Sequence, residues 1–201
     1  MSVSAESARS LRAHIQARFP QQVLSNHAYR GQETVVLKRE GLLEVAQVLR
    51  DDPAFACDFL MDLTCVDYLT FGRGLSSRPS LATPSPLPYY MTSKADPQPW
   101  QRGVSNAEYR FEVVYHVFSS THTHRLRLKV PLSAADPTVA SLTALWKSAD
   151  WFEREVWDLF GVVFVGHPNP RRIMMYEGFQ GHPLRKDYPV NKRQPLVGPV
   201  N

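Results

Sequence analysis

The chain has 201 residues and a formal net charge of +4, with 43% hydrophobic and 21% charged residues, which excludes wholesale disorder and a fibrous repeat. A chain of this length buries roughly 70% of its unfolded surface without staples, and its longest apolar run, residues 159–165, falls well short of the roughly 20 residues a membrane helix needs. Two cysteines, Cys57 and Cys65, exclude a disulfide scaffold and a self-contained iron–sulfur cluster, which takes four thiolates; with no apolar stretch in residues 1–19 to suggest a secretory signal, a reducing compartment is expected.

Residues 4–19 are predicted as a helix carrying Leu11, Ile15 and Phe19 on one face. Residues 33–39, with Val35, Val36 and Leu37, read as a short strand. Residues 40–50 read as a helix with Leu43, Ala46 and Val48 or Leu49 on its stripe, ended by Asp51-Asp52-Pro53. Residues 59–67 are apolar enough for a buried strand. Residues 72–105 hold six of the sixteen prolines and no periodicity, so a long surface loop is expected. Tyr109, Phe111, Val113, Tyr115 and Val117 alternate strictly, as do Leu126, Leu128 and Val130, and residues 119–123 join them as a hairpin with one core face and one half-wet face. Ser148 or Asp150 is expected to cap a helix running to Phe160, with Gly161 as its C-terminal cap. Six more prolines fall in residues 168–201, predicted as extended chain. The fold class is α+β: a two-layer domain with a mixed sheet over residues 1–165, the proline-rich loop, and an extended basic tail over 166–201 that binds a partner.

The charge is unevenly placed. Residues 166–201 carry Arg171, Arg172, Arg185, Lys186, Lys192 and Arg193 against Glu177 and Asp187, which accounts for the whole excess. Basic and aromatic groups interleave there, as they would on a single-strand nucleic-acid surface or on a tail docked to an acidic protein; charge alone does not separate the two. No phosphate-loop, dinucleotide or zinc-protease motif is present. His167 and His182 sit in repeated Gly-His-Pro triplets, where zinc with Asp187 or Glu177 is one reading and a local turn the favoured one. His122 and His124 at the hairpin tip would need metal ligands from elsewhere. The unusual element is Glu153-Arg154-Glu155 with Asp158 on a short, nearly all-apolar helix. Glu155 and Asp158 share a face and suggest an acid–base pair, but no nucleophile accompanies them. Buried carboxylates need partners, so an ion-pair clasp is favoured, with Arg154 pairing Asp158 and tail arginines returning to the helix.

Phe152-Glu153-Arg154-Glu155, Asp158-Leu159-Phe160, His167, Arg171-Arg172-Ile173 and Gly181-His182-Pro183-Leu184-Arg185-Lys186-Asp187-Tyr188-Pro189 together resemble the C subunit of bacterial NADH-quinone oxidoreductase, respiratory complex I. Weaker similarity reaches back through Leu60–Tyr68 and the Val113–Arg127 hairpin. The resemblance implies a non-redox structural subunit of the hydrophilic arm of this proton-translocating enzyme, docked on the D subunit beside the B subunit. It implies no cofactor in this chain, with FMN, iron–sulfur clusters and quinone held by partner subunits. It further implies no nucleic acid, and a peripheral place on the cytoplasmic face of the inner membrane, held only through the complex. Glu153, Arg154, Glu155, Asp158, His167, Arg171, Arg172, His182, Arg185, Lys186, Asp187 and Tyr188 are then the partner-binding or clasp residues. The 72–105 stretch is longer than the resemblance leads one to expect, and the chain stops soon after Pro189, where relatives often continue. The alternatives are the equivalent subunit of a membrane-bound hydrogenase, a basic nucleic-acid-binding protein, and a zinc hydrolase built on His167 and His182.

Overall fold

Alternating apolar residues on adjacent strands line one face of a five-stranded sheet, and three helices close over it. The structure is a computed structural model that describes residues 10–69, 109–189 and 191–195. In chain order it runs α1 (Leu11–Arg18), β1 (Val23–Tyr29), β2 (Gln32–Leu37), a 3-10 turn (Arg39–Gly41), α2 (Leu42–Asp51), β3 (Phe59–Asp67), β4 (Phe111–Phe118), β5 (Arg125–Leu132), β6 (Thr138–Ala140), α3 (Ala149–Phe160) and β7 (Val163–Val165). The strand order is β1-β2-β5-β4-β3; β2 runs parallel to β5 and the other pairs are antiparallel, so the sheet is mixed as expected. The register aligns Val35 with Leu128, Leu128 with Tyr115, and Tyr115 with Leu63, one row of the core across four strands. Ile15 of α1, Leu42, Val45 and Leu49 of α2, and Val156 and Leu159 of α3 join the same cluster. Each such Val, Leu or Ile is worth about 1.5–3 kcal/mol of transfer free energy when fully buried.

Four expectations are corrected. β1 was not expected; most of its residues are exposed, so it lacks the apolar alternation that marks a strand, and the turn at Arg30 and Gly31, both at positive φ, is what returns the chain into β2. β6 and β7 are three residues long, pair in parallel with each other, and are too short for a periodic signal. In α2 the buried stripe is Leu42, Val45, Ala46 and Leu49, so Ala46 and Leu49 lie inward as expected, while Leu43, one position round the helix from Leu42, faces solvent. β4 is buried on its second face as well, where Glu112 and Val114 lie under neighbouring side chains, Lys129 bonding Glu112 at 2.7 Å.

The helix from residue 149 ends as predicted, with Gly161 in the left-handed conformation at φ +73°. Ser148 holds the N-cap position, but its hydroxyl donates to the Leu60 carbonyl at 3.0 Å, tying α3 to β3 rather than capping the helix. Residues 166–189 and 191–195 contain neither helix nor strand. The predicted loop at 72–105, and residues 4–9 of the predicted first helix, lie outside the described residues.

Candidate functional site

Gly161 brings the chain out of α3 in a tight left-handed turn, and the segment beyond β7 doubles back across the helix end. An α-helix leaves its last four carbonyls without intrahelical donors. Here all four are answered. Trp157 accepts from the Gly161 N–H (2.9 Å), Asp158 from His182 Nδ1 (2.9 Å), Leu159 from the Leu184 N–H (3.1 Å) and Phe160 from Arg185 Nε (2.5 Å). Arg185 also reaches the Gly161 carbonyl at 3.3 Å. A guanidinium at this end meets the negative pole of the helix dipole. The approach is close: a Cβ on Gly161 would lie 2.5 Å from Arg185 Nη2 and 2.6 Å from the His182 ring. Burial holds the His182 imidazole below its ordinary pKa.

Asp158 is the centre of the arrangement. Its side chain is fully shielded, its Oδ1 accepts from Arg172 Nη1, and its Oδ2 accepts the N–H groups of Ile173 (3.1 Å), Met174 (2.9 Å) and Met175 (2.9 Å). Burial alone would raise this carboxyl, but the Met175 N–H, the Arg172 guanidinium and the N–H groups of Met174 and Ile173 hold it below the usual range. Arg172 also donates to the Gly181 carbonyl at 3.2 Å and lies against the Trp157 and Phe179 rings. One anion therefore fixes three consecutive backbone amides and a guanidinium that ties residue 172 to 181.

A second clasp joins two expected residues, Lys186 and Asp187, to two that the sequence reading did not single out, Asp67 and Arg110. Asp67, at the end of β3, is shielded and takes two hydrogen bonds from Arg110, at 3.1 and 2.8 Å. Arg110 also grips Asp187 twice, at 3.0 and 2.6 Å, while the Lys186 N–H donates to Asp67 at 2.9 Å. Those hydrogen bonds raise the Arg110 pKa, and Asp67 stays below its ordinary value although burial pushes it up. The available signal was an aspartate ending an apolar strand and an arginine just before another strand; the register that brings them together, pairing Asp67 with Phe111, is not written in either segment.

The other predicted residues divide. Glu153 is buried but meets no arginine: its oxygens accept from the Leu142 N–H (2.6 Å) and the Ser141 hydroxyl (2.7 Å), and burial pushes its pKa to about 7 despite those bonds. The expectation that arginines answer the helix carboxylates therefore holds for Asp158 and not for Glu153, because the loop after β6 supplies neutral donors first. Arg154 does not pair with Asp158; it donates to the Arg171 carbonyl at 3.2 Å and stacks on Trp151. Glu155 is half-buried, and Arg171 and Lys186 are exposed. Tyr188 stacks on Phe179 with ring centres 6.0 Å apart, and the Lys192 ammonium lies 5.8 Å from the centre of the Tyr188 ring. His167 takes the Asn169 N–H on Nδ1 and reaches the Asp150 carbonyl with Nε2 at 3.1 Å, at the opposite end of α3 from His182. His122 and His124 engage the carbonyls of Pro53 and Phe55. Among the described residues no group of three or more His, Cys, Asp or Glu side chains is placed to hold a metal ion.

Residues 35–194, which contain both clasps, match the family described as "Respiratory-chain NADH dehydrogenase, 30 Kd subunit". The chain belongs to this family. It is 41% identical over 186 residues to the NADH-quinone oxidoreductase C subunit of Citrifermentans bemidjiense, covering 92% of each chain. It is 42% identical over 160 residues to the protein of that name from Coxiella burnetii, covering 78% of this chain and 67% of that one. Among solved structures it is similar to the trypsin-resistant fragment of Nqo5, with a TM-score of 0.54 and 30% identity over 79% of this chain and 96% of that one. The archaeal membrane-bound sulfane sulfur reductase gives a TM-score of 0.58 at 15% identity, covering 89% of this chain and 84% of that one, which shows a shared fold only. Membership of the 30-kDa subunit family agrees with the α+β sheet and with the expected resemblance. No helix among the described residues is long and apolar enough to cross a membrane.

Proposed function

We propose that this chain is a non-redox structural subunit of the hydrophilic arm of NADH-quinone oxidoreductase, docked on the D subunit beside the B subunit through the segment after β7. In that role it supports electron transfer from NADH to quinone by position alone. FMN, iron–sulfur clusters and quinone belong to the partner subunits, and the chain is held at the cytoplasmic face of the inner membrane only through them. The observation that carries the reading is the likeness to the C subunit of that enzyme over 92% of the chain. The chemistry of the chain is consistent with it. Its two thiols are buried, and two are too few for a cluster that normally takes four thiolates. Arg172 and Arg185, which a nucleic-acid surface would present outward, are turned onto α3.

The test is purification of the enzyme through a tag on a different subunit. The chain should co-purify in constant ratio with flavin- and cluster-bearing subunits. Purified alone and folded, it should be colourless and unable to oxidise NADH. Flavin or cluster absorbance in the isolated chain would overturn the non-redox role, and bound nucleic acid without partner subunits would favour the basic-protein alternative.

A further inference from the structure

The clasps that turn some basic residues inward leave others facing out. The Met174 N–H is held on Asp158 Oδ2 and the Leu184 N–H on the Leu159 carbonyl, so the two backbones cross the same last turn of α3. Both side chains nevertheless point into solvent, Met174 at 57% and Leu184 at 48% exposure. Arg171, three residues before Met174, and Lys186, two after Leu184, are exposed on either side. Asp158 is engaged by Arg172, and Asp67 and Asp187 by Arg110. The exposed Glu177 and half-buried Glu155 remain nearby in the chain, but the segment still presents Arg171, Lys186, Lys192 and Arg193 to solvent, so its outward charge is positive. The result is an apolar centre with a cationic edge.

On the reading that the chain is a docked subunit, we infer that Met174 and Leu184, rimmed by Arg171 and Lys186, form the contact for a partner face with an apolar hollow edged by carboxylates. Charge complementarity selects an acidic face over a neutral or basic one, and like charges placed opposite this rim would be repelled. The surface is also prepared for binding. Backbone hydrogen bonds to Asp158, Leu159 and Asp67 hold residues 173–175, 184 and 186, so little chain entropy remains to be lost on contact. Apolar contacts at the centre govern how slowly the partner leaves, while the rim governs encounter and salt dependence.

The experiment uses the whole enzyme, purified through a tag on another subunit, with the amount of this chain per complex measured by quantitative mass spectrometry after low-salt and high-salt washes. Arg171→Glu with Lys186→Glu should lower retention at low salt by about tenfold or more and invert the salt response, retention rising with added salt because salt now screens a repulsion, whereas the uncharged Gln pair should make retention nearly insensitive to salt. Met174→Ser with Leu184→Ser should lower retention by about tenfold at both salts. Arg171→Gln with Lys186→Gln repeats the rim test with uncharged groups should the reversal impair folding, and the melting temperature of each isolated chain establishes that it folds as the parent does. Retention equal to the unmodified chain in both pairs, or a rim effect that leaves the salt response unchanged, would overturn the inference. Absence of the unmodified chain from the purified enzyme would instead overturn the reading as a docked subunit, on which the inference rests.

Discussion

Replacing Asp158 by alanine removes one side chain and, with it, the acceptor for four donors. In the folded chain those donors are the Arg172 guanidinium and the amides of Ile173, Met174 and Met175. The Arg172 side chain is only 14% exposed, so it is left largely shielded without its anion. Removing one partner of a buried pair costs about 3–5 kcal/mol. Two responses are distinguishable. If residues 171–175 lift away locally, their amides should exchange with solvent faster by a factor on the order of 100 to 5,000. If the helix end unravels with them, the melting temperature of the full chain should fall by about 2–4 °C per kcal/mol lost. The effect carries a pH signature. Asp158 is held below the ordinary carboxylate range, so its stabilisation is complete above that range and disappears as pH falls through the depressed value. Parent and variant should therefore converge in acid. Arg172→Ala should reproduce most of the loss, and the double variant should cost less than the two single losses together. Unchanged exchange at residues 173–175 with an unchanged melting temperature would refute the argument that this carboxylate organises the segment.

Four further outcomes are expected. Glu153→Gln should flatten the pH dependence of stability: the parent holds its proton up to about 7 when folded but only to the ordinary 4.5 when unfolded, so it loses up to about 3 kcal/mol as pH rises between those values, measurable by urea denaturation at pH values on either side. Arg110→Ala should destabilise the chain by about 3–5 kcal/mol in chemical denaturation, because Asp67 is left shielded and unpaired. Gly161→Ala should cost about 1–2 kcal/mol or more, since it forces a side chain into a left-handed turn and against Arg185, and thermal melting will register it. Cys57 and Cys65 should react slowly with a thiol reagent at neutral pH and rapidly once the chain is denatured, as followed by mass shift, because burial pushes both thiols to about 12.

The sequence alone determined whatever depends on near neighbours. Apolar alternation located β5 and the core positions of β4, Gly161 marked the end of α3, and the order of residues between Trp151 and Pro189 pointed to the family. The position of the charge excess was also plain, since counting needs no coordinates. Tertiary structure alone decided the pairings. Glu153, Glu155 and Asp158 share α3, yet Asp158 receives an arginine, Glu153 receives a hydroxyl and an amide from the loop after β6, and Glu155 stays half-buried. Nothing in their spacing distinguishes them; what does is which segment packs opposite each turn of the helix. Asp67, Arg110 and Asp187 meet although the outer two are 120 positions apart in the chain. That meeting depends on the β3–β4 register and on the path of the segment after β7, and a local pattern carries information about neither. β1 escaped notice for the complementary reason: its place is fixed by hydrogen bonds to β2, which a mostly exposed strand can make without any apolar signature.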